Sequence, residues 1–176
     1  MKNVYLILII SLVLLSCSRQ REYLTPMEIE EEKETVIEVC KKFNEASEEK
    51  SFSKIVETLG HEIMFFGTDS AEVIKSFPEF KQNFIAQWEE YDVLDYGEMR
   101  DVAVFMDDDA TLASVIFGIP LYVKKTGYEN RYYLRVARTL KKEENKWVIV
   151  SGIVGIARVE TPDDTDQTQT DNNDKQ

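Results

Sequence analysis

Two hydrophobic periods divide this chain, and the change between them limits the folds open to it. Up to about residue 91 apolar side chains recur at helical spacing, and from about 92 to 160 they run in long extended stretches. Thr25-Pro26-Met27-Glu28 is a capping box with proline at the first helical position. Ile29, Val36, Ile37, Cys40, Phe43 and Ala46 then make one stripe, and glutamates 28, 30, 31, 32 and 34 suit the positive end of the helix dipole. A short helix is expected over 53–59, stopped by Gly60, and a strand over 61–66. Gly67-Thr68-Asp69-Ser70 reads as a turn, and Ser76-Phe77-Pro78-Glu79 opens a further helix to about Tyr91, with Phe80, Phe84, Ile85 and Trp88 on one face.

The second half predicts strands at about 92–106, 111–125, 129–142 and 146–159. Asp107-Asp108-Asp109-Ala110, Thr126-Gly127-Tyr128 and Glu143-Glu144-Asn145 supply the connections, and Gly118 with Pro120 marks a bend or bulge in the second strand. Helices followed by a four-stranded antiparallel meander give an α+β class, with N-terminal helices packed on one face of a curved antiparallel sheet. In the last strand, strict alternation puts Val148, Val150, Val154 and Ile156 on one face and Trp147, Ile149, Ile153 and Ala157 on the other. Both faces are then apolar. Helices cover only one of them, so the other is expected to pair with a second copy.

The N-terminus carries a single charge, Lys2, before an apolar run from Val4 to Leu15 broken only by Ser11. That run is short for a membrane span and has the shape of an export signal. Ending in Leu14-Leu15-Ser16-Cys17, it resembles the lipobox of bacterial lipoproteins, although Leu15 is bulkier than that family's usual residue. The resemblance implies that residues 1–16 are a removed signal peptide, that Cys17 carries lipid (palmitate among its acyl chains), and that the protein sits on the outer face of a cytoplasmic membrane or on an outer membrane. Residues 17–32 would be tether and helix start, 33–160 the domain, and 161–176 a disordered acidic tail without apolar side chains after Pro162.

Removing 1–16 takes one of the 21 basic residues and none of the 33 acidic ones, leaving a formal charge of −13. Such a surface repels nucleic acid and anionic headgroups, so attachment must come from the lipid. With Cys17 acylated, Cys40 has no partner for an intrachain disulfide, and its place in a helical stripe makes it a small buried hydrophobe.

The order helix, short helix, short strand, helix, long antiparallel strands resembles the NTF2-like (SnoaL-like, cystatin-like cone) superfamily. Phe66-Gly67-Thr68-Asp69 with Glu72, and Trp147-Val148-Ile149 opening the last strand, look like segments of its small stand-alone members. The resemblance implies a sheet curled around the first helix to leave a conical pocket. Enzymatic relatives place an acid/base pair there. This chain offers Phe43 and Asn44 where ketosteroid isomerase-like members use a first-helix tyrosine, and Ser151, Gly152 and Gly155 where polyketide cyclases carry a His-Asp pair.

Four sets of residues are candidates for chemistry. His61 is the only histidine, a potential general base or a surface residue at a strand start. Asp69 and Glu72 are the best carboxylate pair, one as base and one as acid, unless Asp69 caps its own turn. Arg131, Tyr133 and Arg135 share one face of the third long strand, suited either to an anion-binding mouth or to a solvated or dimer-facing surface. Tyr132, Leu134, Val136 and Arg138 share the other, which looks like core. Phe66, Phe80, Phe84 and Trp88 would wall an apolar pocket or simply fill a core. No zinc spacing, calcium loop, phosphate loop or nucleophile elbow is present, so no metal or cofactor is expected.

The functional expectation is a membrane-anchored binding or scaffold domain holding a small apolar or anionic ligand, or self-associating as a homodimer. The alternative is an isomerase, cyclase or hydrolase of a small apolar molecule, with Asp69 as base and His61 or Tyr133 as polarising donor.

Overall fold

Helix α1 (Pro26–Glu48) starts where the capping box places it: the Thr25 hydroxyl accepts from the Glu28 N–H at 3.3 Å, and the Glu28 carboxylate accepts from the Thr25 N–H at 2.7 Å. The computed structural model describes residues 24–157, so the signal segment, Cys17 and the 161–176 tail lie outside the described residues. After α1 come α2 (Phe52–Val56), β1 (Leu59–Phe66), β2 (Val73–Ile74), α3 (Phe77–Glu90), β3 (Val93–Tyr96) and β4 (Arg100–Met106). Three long strands follow: β5 (Leu112–Lys125), β6 (Tyr128–Glu143) and β7 (Lys146–Ile156). Ser76 caps α3, its hydroxyl accepting from the Glu79 N–H at 3.4 Å.

The α+β class holds, with helices on one face of a curved, unclosed sheet, but the sheet is larger than a four-stranded meander. Seven strands run in the order β2-β1-β7-β6-β5-β3, with β4 also on β5, and β1 lies parallel to β7 with Phe65 opposite Gly152. That pairing joins the two ends of the domain, beyond the reach of hairpin reasoning. The expected 92–106 strand breaks at Gly97, whose N–H donates to the Pro120 carbonyl at 2.9 Å. Any side chain at Gly97 would crowd the Pro120 ring, 3.2 Å from a Cβ placed there.

A bulge in β7 re-aims its outer half. Leu140 pairs with Ile149 but Thr139 pairs with Ser151, so Val150 is the extra residue. Trp147 and Ile149 therefore face the helices together with Gly152 and Val154, while Ile153 turns to the opposite face. Strict alternation had put Ile153 with Trp147 and Val154 away from it; the bulge corrects both. Gly152 is needed there, because a Cβ would stand 2.8 Å from the Phe65 ring.

The core lies between α1, α3 and the concave sheet face, built on Val36, Cys40, Phe43, Phe80, Val115, Phe117, Leu140, Trp147 and Ile149. Phe80 meets Phe65 at 4.8 Å and Phe84 at 5.0 Å between ring centroids. The other face carries an apolar row in register across six strands: Ala103, Ile116, Ala137, Ile153, Phe66 and Val73. Ile116, Ile153, Phe66 and Val73 in that row are exposed. No described helix is long and apolar enough to cross a membrane.

Candidate functional site

The concave face encloses a cavity of about 490 Å³, within the range of small-molecule sites. Its floor is buried: α1 supplies Phe43 and Asn44, β6 supplies Val136 and Arg138, β5 supplies Ile119, and Tyr96 closes the side. Phe65, Phe80, Phe84 and Leu121 form apolar walls, and the rim is made by Phe66, Thr68, Glu72, Gln87, Glu90, Tyr91 and Tyr132. A second groove of about 690 Å³ between α1, α2 and the β6–β7 hairpin is lined by four lysines and four glutamates. There Glu32 already pairs with Lys142 and accepts from Trp147 Nε1 at 2.5 Å, and Lys54 pairs with Glu49. The cone is the better site.

Arg138 sets the chemistry of the cavity. It is 7 % exposed and makes no ion pair with any described carboxylate. Nη2 donates to Asn44 Oδ1 at 3.1 Å, and the guanidinium lies 3.8 Å from the Phe43 ring centroid. Nη1 is buried with no hydrogen-bond partner among the described residues. Burying a cation of this kind costs several kcal/mol even after relaxation. One hydrogen bond to a charged group returns about 1.5–3 kcal/mol and a desolvated cation–π contact about 2 kcal/mol. Those partners hold the guanidinium plane but leave one end of the fork unmatched. Burial also pushes Arg138 down from its ordinary pKa, opposed by Cys40 and Tyr96, and pushes the Tyr96 phenol up, keeping it a neutral donor beside the arginine. The Cys40 thiol is likewise pushed up by burial, against the pull of Arg138, which favours its neutral form.

The other candidates lie elsewhere. Asp69 caps its own turn, its Oδ1 accepting from the Ala71 N–H at 2.8 Å, and it does not line the cavity. Glu72 does reach the rim, but accepts from the Asp69 N–H at 3.1 Å and from Asn83 Nδ2 at 3.4 Å. His61 is 86 % exposed and sits 2.6 Å from Glu143, on the outside of the domain. Trp88 donates from Nε1 to the Ser47 carbonyl at 3.1 Å and closes the α1–α3 junction beside the cavity. Arg131, Tyr133 and Arg135 occupy the face of β6 opposite the cavity-lining Tyr132, Leu134, Val136 and Arg138. Arg131 packs over Tyr122, and Tyr133 folds across Gly118, where a Cβ would stand 2.1 Å from its hydroxyl. Of the expected pocket walls, Phe66, Phe80 and Phe84 line the cavity and Trp88 does not, and Phe66 by strand register also belongs to the row on the open face. Asp107 Oδ1 accepts from the Thr111 and Leu112 N–H groups at 2.7 and 2.9 Å, making the aspartate run a hairpin cap.

Arg138 was the residue sequence reasoning passed over. Its signal was present: a cation ending the apolar row Tyr132, Leu134, Val136 on the core face of the strand.

Solved structures share the architecture at low identity. An NTF2-like family protein of Streptomyces avermitilis superposes with a TM-score of 0.62 at 12 % identity, covering 72 % of this chain and 96 % of that one. The association domain of C. elegans CaMKII gives 0.58 at 14 % identity, over 72 % and 96 % of the two chains. A ketosteroid isomerase-like protein of Erwinia carotovora gives 0.59 at 12 % identity, over 71 % and 95 %. No curated protein matches the sequence significantly. The SnoaL-like domain profile matches residues 36–154, most of the described fold, and the chain therefore belongs to the SnoaL-like domain family.

Proposed function

We propose that this chain is a membrane-anchored binding module whose cone holds a small ligand, apolar over most of its surface and ending in a hydrogen-bond acceptor. The observation that carries the reading is the floor of the cavity: a buried arginine with an unmatched donor, set among aromatic walls. An enzyme of the acid/base type needs a carboxylate or histidine within reach of the reacting atom. Here the lining carboxylates, Glu72 and Glu90, stand at the rim, the first held by Asp69 and Asn83, the second by Lys125 at 3.0 Å. The floor offers donors and rings, which bind and orient but do not abstract a proton. The chain without residues 1–17 keeps every described contact, and is the form to test. Native mass spectrometry should show a small-molecule adduct lost on denaturation, or uptake of the neutral dye N-phenyl-1-naphthylamine with displacement by apolar competitors. Neither adduct nor uptake would refute the reading.

Anchoring rests on Lys2, the Val4–Leu15 run and Cys17. Cys17→Ser should move the protein from the membrane to the soluble exported fraction, and a variant as membrane-bound as the parent would refute the anchor. Self-association is supported by the apolar row across the open sheet face. Association domains among the structural neighbours point the same way.

A further inference from the structure

We propose that the ligand is a monocarboxylic acid with an apolar body, its carboxylate seated against Arg138 Nη1 at the floor of the cone. This inference rests on the reading of the cone as a binding site and adds the charge and class of what fills it. A guanidinium stays ionised at any physiological pH, so its buried end calls for an anion rather than a neutral acceptor. Asn44 fixes Nη2 and the Phe43 ring covers the face of the plane, which leaves Nη1 as the end of the guanidinium without a partner among the described residues. It is closed to solvent until a ligand oxygen displaces the side chains that cover it from the cavity that Arg138 lines. Tyr96 lines the same cavity, its phenol beside Ser47 and Arg138.

The charge count selects a monoanion. One cation faces the floor, while Glu72 and Glu90 stand on the route in. A dianion such as a phosphate monoester would pass both carboxylates and leave one negative charge uncompensated in a site walled by Phe65, Phe80 and Phe84. A carboxylate on an apolar chain or ring matches both parts of the cavity. It could reach the cone as a soluble acid or as a fatty acid from the membrane beside it, and chain length separates these sources.

Isothermal titration of the chain without residues 1–17 tests this with octanoate, octan-1-ol, octyl phosphate and palmitate. Octanoate should bind at least about tenfold more tightly than octan-1-ol and octyl phosphate. Arg138→Met should abolish that advantage, with an unchanged circular dichroism spectrum and cooperative unfolding showing that the variant is folded. Palmitate tighter than octanoate names a membrane source, the reverse order a soluble one, and either supports the proposal. Octan-1-ol or octyl phosphate binding as tightly as octanoate overturns the monocarboxylate while the cavity still binds. No binding by any of the four overturns the cone reading itself. Should Arg138→Met fail to fold, the octanoate to octan-1-ol ratio on the parent chain decides alone.

Discussion

Ile153→Glu is the sharpest probe of the open sheet face. Ile153 is 54 % exposed at the centre of the row formed by Ala103, Ile116, Ala137, Phe66 and Val73. Complete burial of an isoleucine side chain stabilises by about 1.5–3 kcal/mol, so covering the exposed half contributes about 1 kcal/mol. In a two-fold contact the residue counts once in each copy, giving about 2 kcal/mol. A glutamate in the same place adds a desolvation cost of several kcal/mol or forces the surfaces apart. The sum, about 4–6 kcal/mol, weakens dimerisation by roughly a thousandfold or more. Sedimentation equilibrium of the lipid-free chain at micromolar concentration reads this directly: the parent should be dimeric and Ile153→Glu monomeric, with unchanged circular dichroism. Ile85→Glu is the control, since Ile85 is 39 % exposed on α3, on the helix side of the domain. It should leave the dimer intact. A monomeric parent, an Ile153→Glu dimer as tight as the parent's, or equal disruption by Ile85→Glu would each refute the reasoning.

Other outcomes concern the fold and its titration. Phe80→Ala removes a ring packed on Phe65, Phe84, Phe43 and Phe52 and should cost about 3–5 kcal/mol in chemical denaturation; a loss below about 1 kcal/mol would show that this aromatic cluster is loosely packed. His61 gives a single histidine signal by NMR, and its hydrogen bond and charge interaction with Glu143 should hold its pKa above the ordinary 6.5. Glu143→Gln should return the midpoint to that value; an unshifted His61 in the parent rules the pair out in solution. Because the His61 pKa is raised and that of Glu143 lowered, the pair is stabilising between the ordinary values of 4.5 and 6.5. Its contribution fades above that window as His61 deprotonates and below it as Glu143 protonates. Both groups are at the surface, so the effect belongs to the titration curve more than to global stability.

Local chemistry was legible and long-range geometry was not. Thr25-Pro26-Met27-Glu28 and Ser76-Phe77-Pro78-Glu79 fixed two helix starts, because a cap involves only neighbours in sequence. The bend or bulge expected at Gly118 and Pro120 does not form: β5 pairs with β6 in unbroken register from Leu112 to Lys125, and the irregularity falls instead on the facing β4, between Arg100 and Ala103. The parallel β1–β7 pair and the tiny β2 were not legible, since their partners lie far along the chain or across a turn. Val150 looked like any strand residue, yet as a bulge it reverses every later side chain of β7. At the site, the eye went to Arg131 and Arg135 because two cations and a phenol on one face suggest an anion mouth. The informative cation was Arg138, whose isolation among apolar neighbours is the stronger cue: a charge is retained in a core only when something there matches it.

The parallel pairing of β1 with β7 has a consequence for how the domain forms. Phe65 and Phe66 cannot complete the sheet until Gly152 and Ile153 have arrived, almost at the end of the domain. A chain threaded N-terminus first, through a ribosome or a membrane channel, therefore has α1 and β1 in hand long before their final partner exists. Closing such a distant pair is slow compared with forming the β5–β6 and β6–β7 hairpins. The architecture thus postpones its own completion until nearly the whole domain has emerged, and a chain truncated within β7 should remain open along the β1 edge.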